Sequence, residues 1–308
     1  MGLDLLDTPV RISWRFAPAA PLSRTDLLRI AGRLMEGGVF FVYLDGRPLL
    51  HPDLPELVDT LANTGIRISL VSGGSLEELD VLRPGLPLAQ LDIEVTAPAE
   101  LQRDSLRRKL EDVRPRGYEP GLLLRPLATR LPLLPELLTT ARELGVTRVR
   151  LPNLALDGEE ARRDAAELPG PKELERLRQS LPPGCAAGLS LEIHDLFIWE
   201  LFHGDDAAQR AEYGGCQAGN SLGHVDAAGR LHPCASWPGA FGSLLEHSLS
   251  ELWASSARFS VRAEVERLPP GCRDCTAHAL CFGGCRGLAR TFDPHGDGRD
   301  PLCAAPRR

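Results

Sequence analysis

Eight cysteines are the residues of this 308-residue chain whose type and spacing could do chemistry. Cys185, Cys216, Cys234, Cys272, Cys275, Cys281, Cys285 and Cys303 all lie from residue 185 onward. A thiolate is a soft donor that suits iron clusters and zinc. The run Cys272-x2-Cys275-x5-Cys281-x3-Cys285 is compact, and Cys303 follows it after seventeen residues. The x2 gap lets two thiolates grip one centre from a single turn, whereas the wider gaps let neighbours diverge toward another centre. Upstream, Cys216 and Cys234 bracket a segment that reads as a hairpin, with Val225 and Leu231 beside an Asp226-Ala-Ala-Gly229 turn. Such a turn returns Cys234 to the neighbourhood of Cys216. Gly271, Gly283, Gly284 and Gly287 allow a tight backbone and N–H donors around sulfur. In a reducing compartment, cysteines this concentrated read as metal ligands rather than disulfides.

Cys185, in Pro182-Pro-Gly-Cys185, would complete two sets of four thiolates, but it stands 31 residues before Cys216. A buried cysteine acting as a small hydrophobe is the other reading of that position. Asp205, Asp206 and Glu212 are acidic candidates to approach the same centre, and His232 and His278 are close enough in sequence to be ligands or donors to sulfur. Acid–base residues concentrate at Glu192, His194 and Asp195, where strand alternation places Glu192 and His194 on one face and Asp195 on the other. Trp199, Phe202, Trp237 and Phe241 could shield a metal centre or simply pack.

The elements that must position these residues begin near residue 10. Short β-branched runs alternate with amphipathic stretches, the pattern of βα units around a parallel sheet. Strands are predicted at 10–16, 40–44, 66–71, 91–95, 121–124 and 147–151, with helices starting near Ser23, Pro52, Ser75, Ala99, Leu131 and Pro171. Ser23 fits a helix N-cap with Asp26 in the first turn, a buried stripe of Leu27, Leu28, Ile30, Ala31 and Leu34, and a stop at Gly37-Gly38. The count points to an α/β fold with a partial (β/α)6 TIM-like barrel, smaller than a closed eightfold one. Two glycine-containing turns, Asp45-Gly46-Arg47-Pro48 and Ser72-Gly73-Gly74, fall at the C-terminal ends of strands, where a ligand could approach the backbone or where the chain simply turns tightly.

Composition sets the outer bounds. The formal net charge of −7 opposes general nucleic-acid binding, and only Lys109 and Lys172 among the basic residues are lysine. No apolar run reaches the roughly 20 residues a bilayer requires. The opening Met1-Gly-Leu-Asp-Leu-Leu-Asp7 has no basic segment before its leucines and does not read as a signal peptide, so a cytoplasmic location is expected.

The whole cysteine arrangement, C-x12-G-x4-C, then C-x2-C-x5-C-x3-C, then C, resembles the SPASM domain, the auxiliary iron–sulfur module of many radical SAM maturases. Gly242–Trp253 is similar to the family's linking segment. The resemblance implies two auxiliary [4Fe–4S] clusters, one on Cys216, Cys234 and Cys285, the other on Cys272, Cys275, Cys281 and Cys303. It leaves the fourth ligand of the first cluster open, with Cys185 a candidate. The first part resembles the radical SAM barrel with an omission. Where that family has C-x3-C-x2-C after its first strand, this chain has Trp14-Arg-Phe-Ala-Pro-Ala-Ala-Pro-Leu22, without cysteine, histidine or acid. In place of a GGEP-type turn stands Asp45-Gly46-Arg47-Pro48, the charge at its third position reversed.

The expected organisation is therefore a degenerate barrel over residues 1–200 and a cysteine-rich SPASM domain over 201–308. A chain that keeps auxiliary clusters and lacks the catalytic one resembles the SPASM protein of the GeoRSP peptide-modification system. That resemblance implies an accessory iron–sulfur protein that serves electron transfer or substrate holding, without cleaving S-adenosylmethionine itself. Its implied partners are a radical SAM/SPASM maturase, with a small peptide chaperone or precursor peptide, and neither nucleic acid nor membrane. Two alternatives stand beside it: an enzyme that uses an open auxiliary cluster or a barrel site for another reaction, and a zinc-stabilised interaction module.

Overall fold

The computed structural model describes residues 5–156, 167–203, 215–293 and 295–304. The six expected strands are present as β1 (Arg11–Arg15), β2 (Phe41–Asp45), β3 (Arg67–Ser72), β4 (Leu88–Glu94), β5 (Gly121–Leu123) and β6 (Arg148–Leu151). A seventh, β7 (Ser190–Ile193), continues the parallel order. The sheet does not end at β1, because β8 (Leu222–Val225) of the cysteine-rich part pairs with it in parallel. β9 (Arg230–His232) and β10 (Gly242–Ser243) follow antiparallel, giving ten strands in the order β10-β9-β8-β1-β2-β3-β4-β5-β6-β7. The parallel part of the sheet thus holds eight strands, two more than the βα pattern of residues 10–156 alone predicts.

Helices cover the outer face: α1 (Arg24–Glu36), α2 (Leu54–Ala62), α3 (Leu76–Val81), α4 (Pro98–Leu101), α5 (Arg103–Val113), α6 (Leu134–Glu143), α7 (Pro171–Ser180) and α8 (Leu196–His203). In α1 the Ser23 side chain accepts from the Asp26 N–H, and Leu27, Ile30, Ala31 and Leu34 are buried; Leu28 lies at the edge of that stripe. Gly38, at φ 72°, takes the left-handed turn that ends the helix. The main core lies between these helices and the outward faces of the strands, with Ile12, Trp14, Leu44, Ile68 and Leu70 almost fully buried.

The inward face is polar, and the sheet curls far enough to bring distant strands together across it. Arg150 of β6 lies over the Tyr43 ring of β2 at 3.7 Å. The same guanidinium is 3.6 Å from Asp92 of β4. Beyond the barrel, α9 (Leu249–Trp253), α10 (Ser256–Glu266), α11 (His278–Cys281) and α12 (Arg286–Phe292) carry the remaining cysteine-bearing loops.

Candidate functional site

The thiols fall into two neighbourhoods. The hairpin forms as its sequence suggests: Val225 pairs with Leu231 and Gly229 turns at φ 77°. Cys234 is thereby returned to Cys216, and burial first, then that neighbour, pushes its thiol up to about 12. Cys285 joins them, held well above the ordinary thiol range by burial, then by Cys216, Asp300 and Cys234. In the second group Cys272 is raised to about 11 by burial, then by Cys281, Cys303 and Cys275. Cys185 is elsewhere, in the apolar core of the barrel ahead of β7.

The first neighbourhood has the donors and supports that sulfur-bound iron needs. The Asn153 side chain and the N–H groups of Ser236 and Trp237 hydrogen-bond to Cys234. The Leu288 N–H does the same for Cys285. Two arginines on one face of α10 hold the approach to Cys216: Arg262 donates to the Cys216 and Ala218 carbonyls, and Arg258 to that of Gly219. Asp300, buried, accepts from the Cys285 N–H at 2.5 Å and from the Leu302 N–H at 2.8 Å. Gly284 is required beside it, because its φ is 69° and a Cβ there would meet the Asp300 carboxylate. Ala218, Cys234 and Trp237 pack as a small apolar cluster, so Trp237 does shield a thiol. Raised thiols are neutral without metal, and bound iron would reverse that by favouring thiolates. The donor set therefore fits sulfur-ligated iron. Among the described residues, no three His, Cys, Asp or Glu side chains gather tightly enough for a single metal ion.

A cavity of about 590 Å³ joins the first thiol group to the inside of the barrel. One wall is Cys216, Cys234, Cys281 and Cys285; the other is the inward face of the sheet, with Arg11, Tyr43, Arg150, Glu192 and His194. Residues 234–236 span between the two parts: Leu156 N–H donates to the Ala235 carbonyl, and Ser236 Oγ to the Leu154 carbonyl. Across the mouth of strands β2, β4 and β5 runs an ionic bridge. Arg125 donates to Asp45 Oδ1 at 2.7 Å and to Glu94 Oε1 at 2.9 Å, and Arg130 reaches the same Glu94 oxygen at 2.7 Å. Burial would raise Asp45, but Arg125 and the Gly46 N–H outweigh it and hold the carboxyl below its usual range.

The glycine turns close on themselves. At Gly46, φ 79°, a Cβ would fall on the Phe16 carbonyl oxygen. Arg47, at φ 63°, donates to Glu78 Oε1 at 2.8 Å, and Ser72 Oγ donates to Glu78 Oε2 at 2.9 Å. One fully buried carboxylate thus ties the turn after β2 to the turn after β3, which is the tight-turn reading of both. The segment after β1 fills with aromatic packing: Phe16 is buried and meets the His51 ring edge-on at 5.7 Å. It supplies no thiolate, imidazole or carboxylate, so the residues present do not fit the catalytic cluster of a radical SAM enzyme.

Other sequence candidates are placed as follows. Strand β7 ends at Ile193, so alternation stops there and Asp195 caps α8, accepting from the Phe197 and Ile198 N–H groups. Burial and the nearby Glu200 push that carboxyl up to about 6. His194 is pulled down to about 4 by burial, Arg11 and Arg150, and is a neutral ring at pH 7. His232 bonds to Asp226 within the hairpin, and His278 opens α11. Trp199 stacks on His203, while Phe241 packs edge-on against Trp253. Asp205, Asp206 and Glu212 lie outside the described residues. Asn153, Asp300, Arg258 and Arg262 were not legible beforehand, since nothing in their spacing announces a role.

With this geometry in place, comparison with known proteins shows what the chain is similar to. Residues 216–276 match SPASM, an iron-sulfur cluster-binding domain. The chain is 26% identical to the PqqA peptide cyclase of Gluconobacter oxydans, over 93% of this chain and 83% of that protein. It is 27% identical to the PqqA peptide cyclase of Ruegeria pomeroyi, over 87% and 75%. The fold matches Streptococcus suis SuiB bound to S-adenosylmethionine with a TM-score of 0.69 and 14% identity, covering 98% of this chain and 78% of that one. It also matches anSMEcpe with bound AdoMet and the Cp18Cys peptide, with a TM-score of 0.65, 14% identity and 93% and 92% coverage. The chain thus carries a match to an iron-sulfur cluster-binding domain over residues 216–276 and shares the α/β barrel fold of SuiB and anSMEcpe.

These findings correct the expectation of a non-catalytic accessory protein. The relatives that match over nearly the whole chain are named for catalysis on a peptide, and the matching folds hold S-adenosylmethionine. The expectation had rested on the empty segment after β1, which bears on one cluster and not on the rest of the barrel. Exclusion of S-adenosylmethionine as a matter of fold falls with it. Among the described residues no helix is long and apolar enough to cross a membrane.

Proposed function

We propose that this chain is itself a peptide-modifying enzyme, whose reaction takes place in the barrel cavity beside the thiol group of Cys216, Cys234 and Cys285. The observation that carries the reading is the shared cavity: one space is lined by the polar face of the sheet and by cluster-type cysteines. It is large enough to take one or two residues of a peptide, in the range of small-molecule sites. Two [4Fe–4S] clusters are proposed, on Cys216, Cys234 and Cys285, and on Cys272, Cys275, Cys281 and Cys303. When bound, they would supply one-electron chemistry at potentials set by hydrogen bonds to sulfur and by exposure.

The chain's own residues do the rest. Asn153 and the Ser236 and Trp237 N–H groups hold Cys234 toward its site, and Asp300 fixes the backbone at Cys285. His194, neutral at pH 7, offers a ring nitrogen that can accept a proton from a bound peptide. Glu192 is steadied by a hydrogen bond from Gln90 at 3.1 Å and faces the same space. Trp237 and Ala218 keep water from the thiols. A precursor peptide is the proposed partner, supported by relatives named for PqqA and by SuiB bound to its precursor SuiA. A complete maturase and a small chaperone, as in the GeoRSP system, are proposed to act on the same peptide, supported by the cysteine-free segment after β1.

The test uses the full chain loaded with iron and sulfide, under reductant, with PqqA and SuiA as probes, with and without added S-adenosylmethionine. A mass change in either peptide that is lost in Cys234→Ser supports the reading. Unchanged peptides in every arm, with the clusters spectroscopically intact, overturn it.

A further inference from the structure

The inner part of the barrel cavity carries a charge arrangement that the thiol chemistry does not use. Arg150, 8% exposed, projects from β6 onto the Tyr43 ring. The carboxylates flanking it, Asp92 and Glu192, each stand 3.6 Å away, outside hydrogen-bond reach. Both are engaged elsewhere: Arg148 donates to Asp92 Oδ1 at 2.9 and 3.2 Å, and Gln90 donates to Glu192. Arg11, which also lines the cavity, is disfavoured as a cation first by burial and then by Arg150. Arg11, Arg67 and Arg150 line the cavity with Asp45, Glu192 and Asp195, of which Asp45 is taken up by Arg125 and Asp195 by the N–H groups of Phe197 and Ile198, so positive charge is in excess beside Arg150. His194 adds no charge at neutral pH, since burial, Arg11 and Arg150 hold it neutral.

Beside this surplus lies a donor with nothing to donate to. Among the described residues the Tyr43 hydroxyl is buried without a hydrogen-bond partner, and Tyr43 lines the cavity. A buried hydroxyl left unsatisfied costs free energy, and native structures rarely keep one without a ligand or water to fill it. Ser13 and Ser69 on neighbouring strands extend the polar lining.

We propose that this part of the cavity is a carboxylate-binding subsite, in which the Arg150 and Arg11 guanidinium groups and the Tyr43 hydroxyl hold one carboxylate of the peptide. The proposal rests on the peptide reading above and names the feature of the peptide that the site selects. A planar guanidinium fork matches a carboxylate with two parallel hydrogen bonds. The neighbouring carboxylates Asp92 and Glu192 would repel a phosphate dianion more strongly than a monoanion, which favours a carboxylate. The carboxylate could belong to an acidic side chain or to a peptide C-terminus, and both present the same chemistry.

The experiment measures equilibrium binding to the full, cluster-loaded chain by calorimetry at low salt. The probes are N-acetylglutamate methylamide, its glutamine counterpart, N-acetylalanylglycine with a free C-terminus, and N-acetylphosphoserine methylamide. The glutamate or the free C-terminal probe is expected to bind at least tenfold more tightly than the glutamine one. Whichever carboxylate binds identifies the source. Tyr43→Phe is expected to weaken that binding about tenfold without lowering the thermal midpoint, because it removes a hydroxyl that the free protein leaves unsatisfied. Arg150→Gln is expected to abolish it; Tyr43→Phe keeps the test decisive should Arg150→Gln fail to fold. The proposal is overturned by equal binding of the glutamate and glutamine probes, by tighter binding of the phosphoserine probe, by no binding of either carboxylate, or by unchanged affinity in Tyr43→Phe. Binding needs no turnover, so carboxylate binding in a chain that modifies no peptide would sink the enzymatic reading alone.

Discussion

Replacing Arg125 with methionine isolates the ionic bridge across the barrel mouth. Arg125, Asp45 and Glu94 are each 13–14% exposed, so solvent screens them little. Glu94 keeps Arg130 after the change, but Asp45 loses its principal partner and retains only the Gly46 N–H and a distant attraction to Arg15. Breaking a buried pair by removing one partner costs about 3–5 kcal/mol, and the remaining partners place this case near the lower end, about 3 kcal/mol. For a chain of 308 residues that corresponds to a fall in thermal midpoint of roughly 4–5 °C.

The pH dependence carries the sign. In the native protein Asp45 is held below its usual range, so its contribution is complete above the ordinary carboxylate pKa and is lost as pH falls through the lower folded value. In Arg125→Met burial is opposed only by the Gly46 N–H and Arg15, so the folded pKa rises and the variant gains stability as pH falls through that raised value toward the ordinary carboxylate range. The gap between the two proteins is therefore widest at pH 7 and narrows toward pH 4. Adding Asp45→Asn to Arg125→Met should recover most of the loss at pH 7. Scanning fluorimetry of the four proteins of this cycle between pH 7 and pH 4 is the assay. A midpoint unchanged in Arg125→Met, or a gap that stays constant with pH, would refute the reasoning.

Three further outcomes are expected. Gly284→Ala, which forces a side chain into a left-handed turn costing roughly 1–2 kcal/mol and against Asp300, should remove the spectroscopic signal of the Cys216, Cys234 and Cys285 site while sparing the other, as read by iron content and electron paramagnetic resonance. Asn153→Ala removes a hydrogen-bond donor to Cys234 and should shift that site to a more negative potential in a redox titration, with the second site unmoved. The metal-free chain should lose thermal stability as pH rises above 9, because Cys234 and Cys272 titrate near 12 and 11 when folded and near 9 when unfolded, so the unfolded chain ionises first. The iron-loaded chain, its thiolates already formed, should show a weaker slope over that window.

Much of the barrel was legible because its signals are local. Alternating β-branched runs and the Ser23 cap identify a strand and a helix whatever surrounds them, and both stand where their residues put them. The hairpin around Gly229 was legible for the same reason. Pairing of β8 with β1 was not, because a four-residue strand has no property that names a partner more than 200 residues away. Strand alternation misled at Asp195, where a helix began two residues sooner than a continuous strand would allow. The segment after β1 was read too broadly, as chemistry missing from the chain, whereas the relatives that match over most of it are named for catalysis on a peptide.

The sequence by itself determined which atoms could bind iron, since cysteine spacing constrains what one turn of backbone can present to a metal. It also determined the absence of ligands after β1, a matter of residue type alone. Only the tertiary structure decided that Cys216, Cys234 and Cys285 line the barrel's cavity, and that Arg150, Tyr43 and Asn153 converge around the same space. Those meetings depend on the curl of a ten-stranded sheet, which sets distances between residues far apart in the chain. No local preference encodes such distances, because they are the sum of every twist and register between them.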